Sequence, residues 1–249
     1  MRLPIAARLI ILLAALAPLA APAQSGPDRG PDGNTRTITP GIEVPPYPGL
    51  PFTGTDTILR TRSVEGGSVT TAETSQVIRD SDGRLYRERH HFGLLNADPQ
   101  KTLYAFYVLD PTTHTRTECL LATHACNVSS YHPRLSFPLQ PAGPFDEGKR
   151  ILVRQSLGPQ ITDGLTLTGT RETITILPGI VGNDHALTLT RDFWYFPDLK
   201  TNIKVIRTDP REGTEAIHLE ILSRTAPDPS AFVIPASYTV TDLRHTPGR

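Results

Sequence analysis

The chain has 249 residues, and its 25 Lys and Arg balance 25 Asp and Glu. No concentrated basic face follows from such a balance, which argues against a nucleic-acid partner. Residues 1–23 read as an export signal, with Arg2 and Arg8 near the start, the apolar run Leu9–Ala21 and the A-x-A pattern Ala21-Pro22-Ala23. Without them 226 residues and a net charge of −2 remain, because Arg2 and Arg8 are the only charged groups lost. The apolar run is shorter than the roughly 20 residues that cross a bilayer, and no later stretch qualifies, so the chain is not expected to span a membrane. No cysteine follows the run to carry a lipid. The expected location is therefore periplasmic or extracellular.

Residues 24–52 form a Pro- and Gly-rich leader, in which the prolines from Pro27 to Pro51 alternate with Gly26, Gly30, Gly33, Gly41 and Gly49. Its composition predicts an extended or disordered spacer. Residues 53–243 are expected to fold as one all-β domain, and residues 244–249 to form a flexible tail. Within the domain, Thr55–Val64 and Val69–Arg79 are rich in Thr, Val and Ile. The turn Asp80-Ser-Asp-Gly83 leads into Leu85–Phe92, and Leu103–Leu109 ends at Asp110-Pro. The next run, Thr115–Leu121, enters a hairpin in which an even loop centred between Ala122 and Thr123 sets Cys119 opposite Cys126. In an oxidising compartment that predicts a disulfide. A zinc site from Cys119, His124, Cys126 and His132 is the weaker reading, because their spacing contains no usual knuckle.

Arg150–Leu157 and Leu165–Ile176 flank the turn Thr162-Asp-Gly164, with a change of apolar phase that predicts a bulge near Gly169. The clearest alternation is Ala186–Phe196, where Leu187, Leu189, Phe193 and Tyr195 share a face. Asn202–Thr208 follows, and then Thr214–Leu222 with Ile217, Leu219 and Ile221 on one side. Burial of one face fixes strand register, so these seven residues are expected on the same side of the sheet, as candidate lining of a groove. Asp228-Pro-Ser-Ala-Phe232 predicts a single helical turn. Short turns between successive strands imply an antiparallel meander with few long crossovers.

No motif of a known catalytic chemistry occurs, and neither a cofactor nor a metal is expected. The eight histidines are scattered. Asp80 and Asp82 read as turn-capping residues rather than a calcium loop. Glu172 and Asp192 are expected to pair across strands with Arg191 or Arg171, and Trp194 to anchor the core.

Leu157-Gly-Pro-Gln-Ile161, Gly169-Thr-Arg171, Pro178-Gly179, Gly182-Asn183, Trp194, Pro197-Asp-Leu199 and Pro229-Ser-Ala-Phe232 with Pro235 and Tyr238 resemble a family of uncharacterised exported bacterial proteins. More distantly, the order of hairpins resembles the LolA/LolB-type lipoprotein-carrier fold. That resemblance implies a single curved antiparallel sheet, an incomplete barrel with little helix, around an apolar groove; the alternative is a β-sandwich. The function expected is non-enzymatic binding of a lipid or other apolar or amphipathic ligand, or of an envelope protein, on the curved sheet. A cell-envelope hydrolase with a site gathered from distant strands and a structural envelope component are the alternatives.

Overall fold

In the computed structural model the described residues are 42–95, 97–135 and 139–244. The expected export signal, most of the expected leader and the last five residues lie outside them. Thirteen strands follow one another: β1 (Phe52–Val64), β2 (Gly67–Arg79), β3 (Leu85–His90), β4 (Leu103–Asp110), β5 (Thr115–Leu120), β6 (Ala125–Ser130), β7 (Gly143–Phe145), β8 (Arg150–Thr162), β9 (Leu165–Ile176), β10 (Leu187–Phe196), β11 (Thr201–Asp209), β12 (Gly213–Ser223) and β13 (Thr239–Asp242). A single helical turn, α1 (Pro99–Thr102), precedes β4, and a 3-10 turn, Pro229–Phe232, follows β12.

All thirteen strands belong to one sheet, in the order β13-β6-β5-β4-β3-β2-β1-β12-β11-β10-β9-β8-β7. The sheet is curved and does not close on itself. Its centre is the long β1–β12 ladder, in which Ile58 faces Ile217 and Asp56 faces Leu219. From that seam one meander runs outward through β2 to β6, and another runs from β7 back inward to β12. The chain therefore makes one crossover that the turn pattern alone does not predict, from β6 on one flank to β7 on the opposite edge. A second carries the chain from β12 to β13, which joins β6 in parallel while every other pair is antiparallel. β7 and β13 have only three and four residues, too short to leave a period-two signature.

Turn chemistry matches the local sequence. Thr162 faces Leu165 across Asp163 and Gly164, which have φ of 51° and 73°, the pair of positive values that a two-residue hairpin of right-handed twist demands. The bulge expected near Gly169 falls on the facing strand, where the register slips between Ser156 and Gly158 and Gly158 lies opposite Gly169. Asp228 caps the 3-10 turn by accepting a 2.8 Å hydrogen bond from Ser230 N.

The two faces are covered differently. On the outer face Ile78, Val108 and Phe106 pack under the returning C-terminal segment, through Phe232, Ile234 and Tyr238. Cys119 and Cys126 face each other across β5 and β6, bonded, with Cα atoms 4.0 Å apart. Both are buried against Phe106. Reduction, or replacement of both by alanine, is expected to lower stability by about 2.5 kcal/mol on the chain-entropy model for so short a loop, as read from urea unfolding with and without reductant.

The inner face carries the largest core cluster, which includes Phe52, Ile58, Val77, Leu85, Phe193, Val205, Ile217 and Leu219. Residues 42–51, which composition assigns to an unpacked spacer, are extended and lie against this face. Ile42 and Val44 belong to the cluster at 1% and 7% exposure, and Pro45 and Pro46 are buried beside them. Side chains of the sheet, rather than a strand ladder, hold this segment down.

Candidate functional site

Period-two alternation places Phe52, Gly54, Asp56 and Ile58 of β1 inward together, and all four are buried. The same phase brings Glu73, Ser75, Val77 and Arg79 inward on β2, with Arg87 opposite Val77 on β3. Charged groups thus enter the core on a scaffold of apolar neighbours. Each is met by a partner, as burial requires.

Arg79 is fully buried, at 0% exposure. Its Nε donates to Leu50 O at 2.7 Å, Nη1 to Pro45 O at 2.8 Å and Nη2 to Leu199 O at 2.8 Å. Burial draws the guanidinium down to about 10, so it remains charged at neutral pH. One side chain therefore fastens two points of the segment 42–51 and the β10–β11 connection. Asp56 and Arg87 form a second clamp. They make a buried ion pair, and the two backbone groups of Ile42 complete it: Ile42 N donates to Asp56 Oδ2 at 3.2 Å, and Arg87 Nη1 donates to Ile42 O at 2.6 Å. Burial pushes the Asp56 carboxyl up, and the adjacent Arg87 guanidinium opposes the shift. Thr201 Oγ1 adds a 3.3 Å hydrogen bond to Glu43 O. At the far end Gly49 N donates to Ser81 O at 2.8 Å, in the turn Asp80–Gly83. Asp80 Oδ1 organises that turn by accepting from Asp82 N and Arg84 N. Gly83 has φ of 84°, and a Cβ there would lie 2.5 Å from Pro46 O, so only glycine lets the segment approach so closely.

The expected lining residues divide by burial. Phe193, Ile217 and Leu219 are buried at 1%, 1% and 0% in the core cluster. Leu187, Leu189 and Ile221 are half-buried. Tyr195 follows a register shift between Trp194 and Tyr195 and is 39% exposed. Phe193 faces Val205, Val205 faces Ile217 and Ile217 faces Ile58 across four adjacent strands, giving a continuous apolar row.

Two residues further along each strand runs a row of charges. Glu172, at 0% side-chain exposure, accepts from Arg154 on one side and Arg191 on the other. Glu215 accepts from Arg60 and Arg207, both at 2.7 Å. Asp192 points to the opposite face, where Arg171 grips it through Nε at 2.6 Å. The cross-strand pairs expected for Glu172 and Asp192 are thus present, and the two carboxylates do not converge. Trp194 packs partly against the core, with the Lys204 ammonium 4.8 Å from its ring centre. No group of three metal-binding side chains converges among the described residues, and Cys119 and Cys126, the two thiols a zinc site would need, are consumed in the disulfide. No sequence motif marks the buried clamps at Arg79 and Asp56–Arg87; the phase of Phe52-x-Gly54-x-Asp56-x-Ile58 is the one signal that places Asp56 inward.

No family model matches the chain, and no curated protein matches it significantly. Among solved structures it is similar to an uncharacterized conserved protein from Thermus thermophilus, with 10% identity and a TM-score of 0.43 over 77% of this chain and 90% of that one. It is also similar to a putative outer membrane lipoprotein-sorting protein domain from Vibrio parahaemolyticus, with 12% identity and a TM-score of 0.29 over 74% and 89%. A LolA superfamily protein from Nitrosomonas europaea gives 9% identity and a TM-score of 0.27 over 74% and 90%. These are likenesses of fold alone. Among the described residues no helix is long and apolar enough to cross a membrane.

Proposed function

We propose that this chain is an exported, non-enzymatic binding protein that takes an apolar or amphipathic ligand on the inner face of its curved sheet. The observation that carries the reading is the nature of the cover. An open sheet whose inner face carries a large apolar cluster must hide it, and here a single extended segment, residues 42–51, contributes Ile42 and Val44 to the task. That segment forms no strand, so its departure breaks no ladder. It would uncover a row of Phe193, Val205, Ile217 and Ile58 that soluble proteins rarely expose without a use. The half-buried Ile221 packs against this cluster, Leu187 and Leu189 lie in the same phase of β10 beyond the row of charges, and all three are proposed to line the groove. Export accords with the A-x-A pattern and with the disulfide.

Titration of the neutral apolar dye Nile red into the full chain is expected to give saturable fluorescence enhancement. Leu189→Asp should abolish it with little loss of stability, because Leu189 is only half-buried. Ile217→Asp should instead lower stability by several kcal/mol, as a charge placed in packed core does. Absence of dye binding by the wild-type chain, or undiminished binding by Leu189→Asp, would overturn the reading.

A further inference from the structure

We propose that the ligand of the inner face is an amphiphile with a neutral, hydroxyl-bearing head group, which the Asn202 amide on β11 receives; this rests on the binding function proposed above. A bulge aims that side chain. Trp194 faces Lys204, and the next residue of β10, Tyr195, faces Asn202, so Ile203 is the extra residue of β11. In an unbroken strand Asn202 would share the phase of Lys204. The bulge instead sets it opposite Tyr195, in the phase of Phe193, and side chains directly opposite each other share a face. Thr201, Asn202 and Ile203 are consequently buried in succession.

The side chain so aimed meets no donor. Asn202 is 4% exposed, and its Oδ1 is buried without a hydrogen-bond partner. Burying an acceptor in that way costs stability, so a bulge that creates one points to a group the chain does not itself supply. Its neighbours are residues that carry the segment 42–51: Thr201 Oγ1 donates to Glu43 O at 3.3 Å, and the Lys200 ammonium lies 4.4 Å from the Tyr47 ring centre. The unmet oxygen therefore sits where that segment crosses β11, and release of the segment opens it. Asp56 repeats the pattern, for Ile42 N holds its Oδ2 while Oδ1, also buried, has no partner. Both unmet atoms are acceptors, so the missing group is a donor. The row that contains Asn202 is neutral. Exposed Thr168 faces the part-exposed Tyr195, which faces Asn202, so a hydroxyl, a phenol and an amide succeed one another from solvent inward. A cationic head would find no carboxylate in this row, and an anionic one, with acceptors alone, would leave Oδ1 unmet. A hydroxyl donates to Oδ1 and can also accept, which matches the amide whichever way it is turned. Phe193 lies two residues from Tyr195 on β10, so the apolar row begins where a head group held by Asn202 would end. That juxtaposition suits an acyl chain bearing a polyol.

Competition against Nile red tests this with three probes: monooleoylglycerol, methyl oleate and glycerol. The first two share an acyl chain, and only the first of them carries donors. Monooleoylglycerol should displace the dye from the full chain at a concentration about tenfold below methyl oleate, the fold-change of one hydrogen bond to an acceptor otherwise unmet. Asn202→Leu, close in shape to the original side chain, should bring the two lipids to the same concentration. Comparing the ratio in wild type and variant cancels the partitioning of the probes themselves, and the wild-type arm needs no variant to fold. The urea midpoint of Asn202→Leu should equal or exceed the wild-type value, because the substitution removes an unsatisfied buried acceptor; an asparagine kept for the fold would lower it. Equal displacement by the two lipids in the wild-type chain, a preference that survives Asn202→Leu, or a urea midpoint lowered by it overturns the Asn202 site and leaves the groove intact. Glycerol competing as strongly as monooleoylglycerol overturns it in favour of a free-polyol site. Failure of Nile red itself to bind the wild-type chain defeats the underlying reading instead.

Discussion

Replacing Arg79 by methionine is expected to lower stability by about 3 to 5 kcal/mol, through the loss of three hydrogen bonds from one buried charge. Methionine approximates the volume of the side chain, so packing is largely kept, but Pro45 O, Leu50 O and Leu199 O lose their donor in a largely buried site. Lysine at the same place should recover only part of the loss, because an ammonium cannot direct donors from a planar fork to three carbonyls. The defect also has a location. Two of the three bonds fasten residues 42–51, so limited proteolysis of Arg79→Met should cut within that segment before the sheet unfolds. The wild-type chain should resist at the same protease concentration. Urea unfolding and the mapping of early cleavage products check the two halves separately. A loss below about 1 kcal/mol, or cleavage first appearing elsewhere, would show that Arg79 is not what holds the segment to the sheet.

The same residue marks the limit of what the sequence discloses. Strand runs such as Leu165–Ile176 and Ala186–Phe196 are legible because half of each side-chain set enters a core and half does not, a local signal with period two. The disulfide is legible because a four-residue loop between β5 and β6 leaves Cys119 no partner position but Cys126. Arg79 and Asp56 are not, although they occupy inward phases, because a charged residue in an inward phase ordinarily argues that the strand emerges into solvent. Only the return of a distant backbone segment makes their burial tolerable. Composition likewise assigns residues 42–51 to a spacer, since prolines and glycines count against a core. The carbonyls of Pro45 and Leu50 are what the fold uses there, and every residue has a carbonyl. The crossover from β6 to β7 is hidden for a related reason: it depends on where the sheet ends, and strand pairing across the β1–β12 seam joins residues more than 150 positions apart, such as Arg60 and Glu215. The charge row is half visible in the sequence. Pairing of Glu172 with Arg191 follows from their neighbouring strands, whereas the meeting of Arg191 with Arg207 requires the register of β10 on β11.

The second large effect is expected at the Asp56–Arg87 pair, and its form is non-additivity. Asp56→Leu leaves the Arg87 guanidinium buried without its counter-ion, and Arg87→Met leaves the Asp56 carboxylate likewise, so each should cost about 3 to 5 kcal/mol. Combining them removes both buried charges, and two apolar side chains of similar size fill the space. Were the pair isolated, the double variant could equal or exceed the wild type in stability. It is not isolated: Ile42 N donates to Asp56 and Ile42 O accepts from Arg87, and both backbone groups would be left buried and unsatisfied at about 1 to 3 kcal/mol each. The double variant should therefore cost about as much as either single one and far less than their sum, a coupling of about 3 kcal/mol that urea unfolding of the four proteins measures directly. The residual cost belongs to the segment 42–51 and not to the sheet. A variant chain that begins at residue 52 should lose it, so that the double substitution becomes nearly neutral there. Additive single losses would mean that the two charges are separately solvated rather than paired. A residual cost unchanged in the shortened chain would mean that the pair supports the sheet itself and not the segment lying across it.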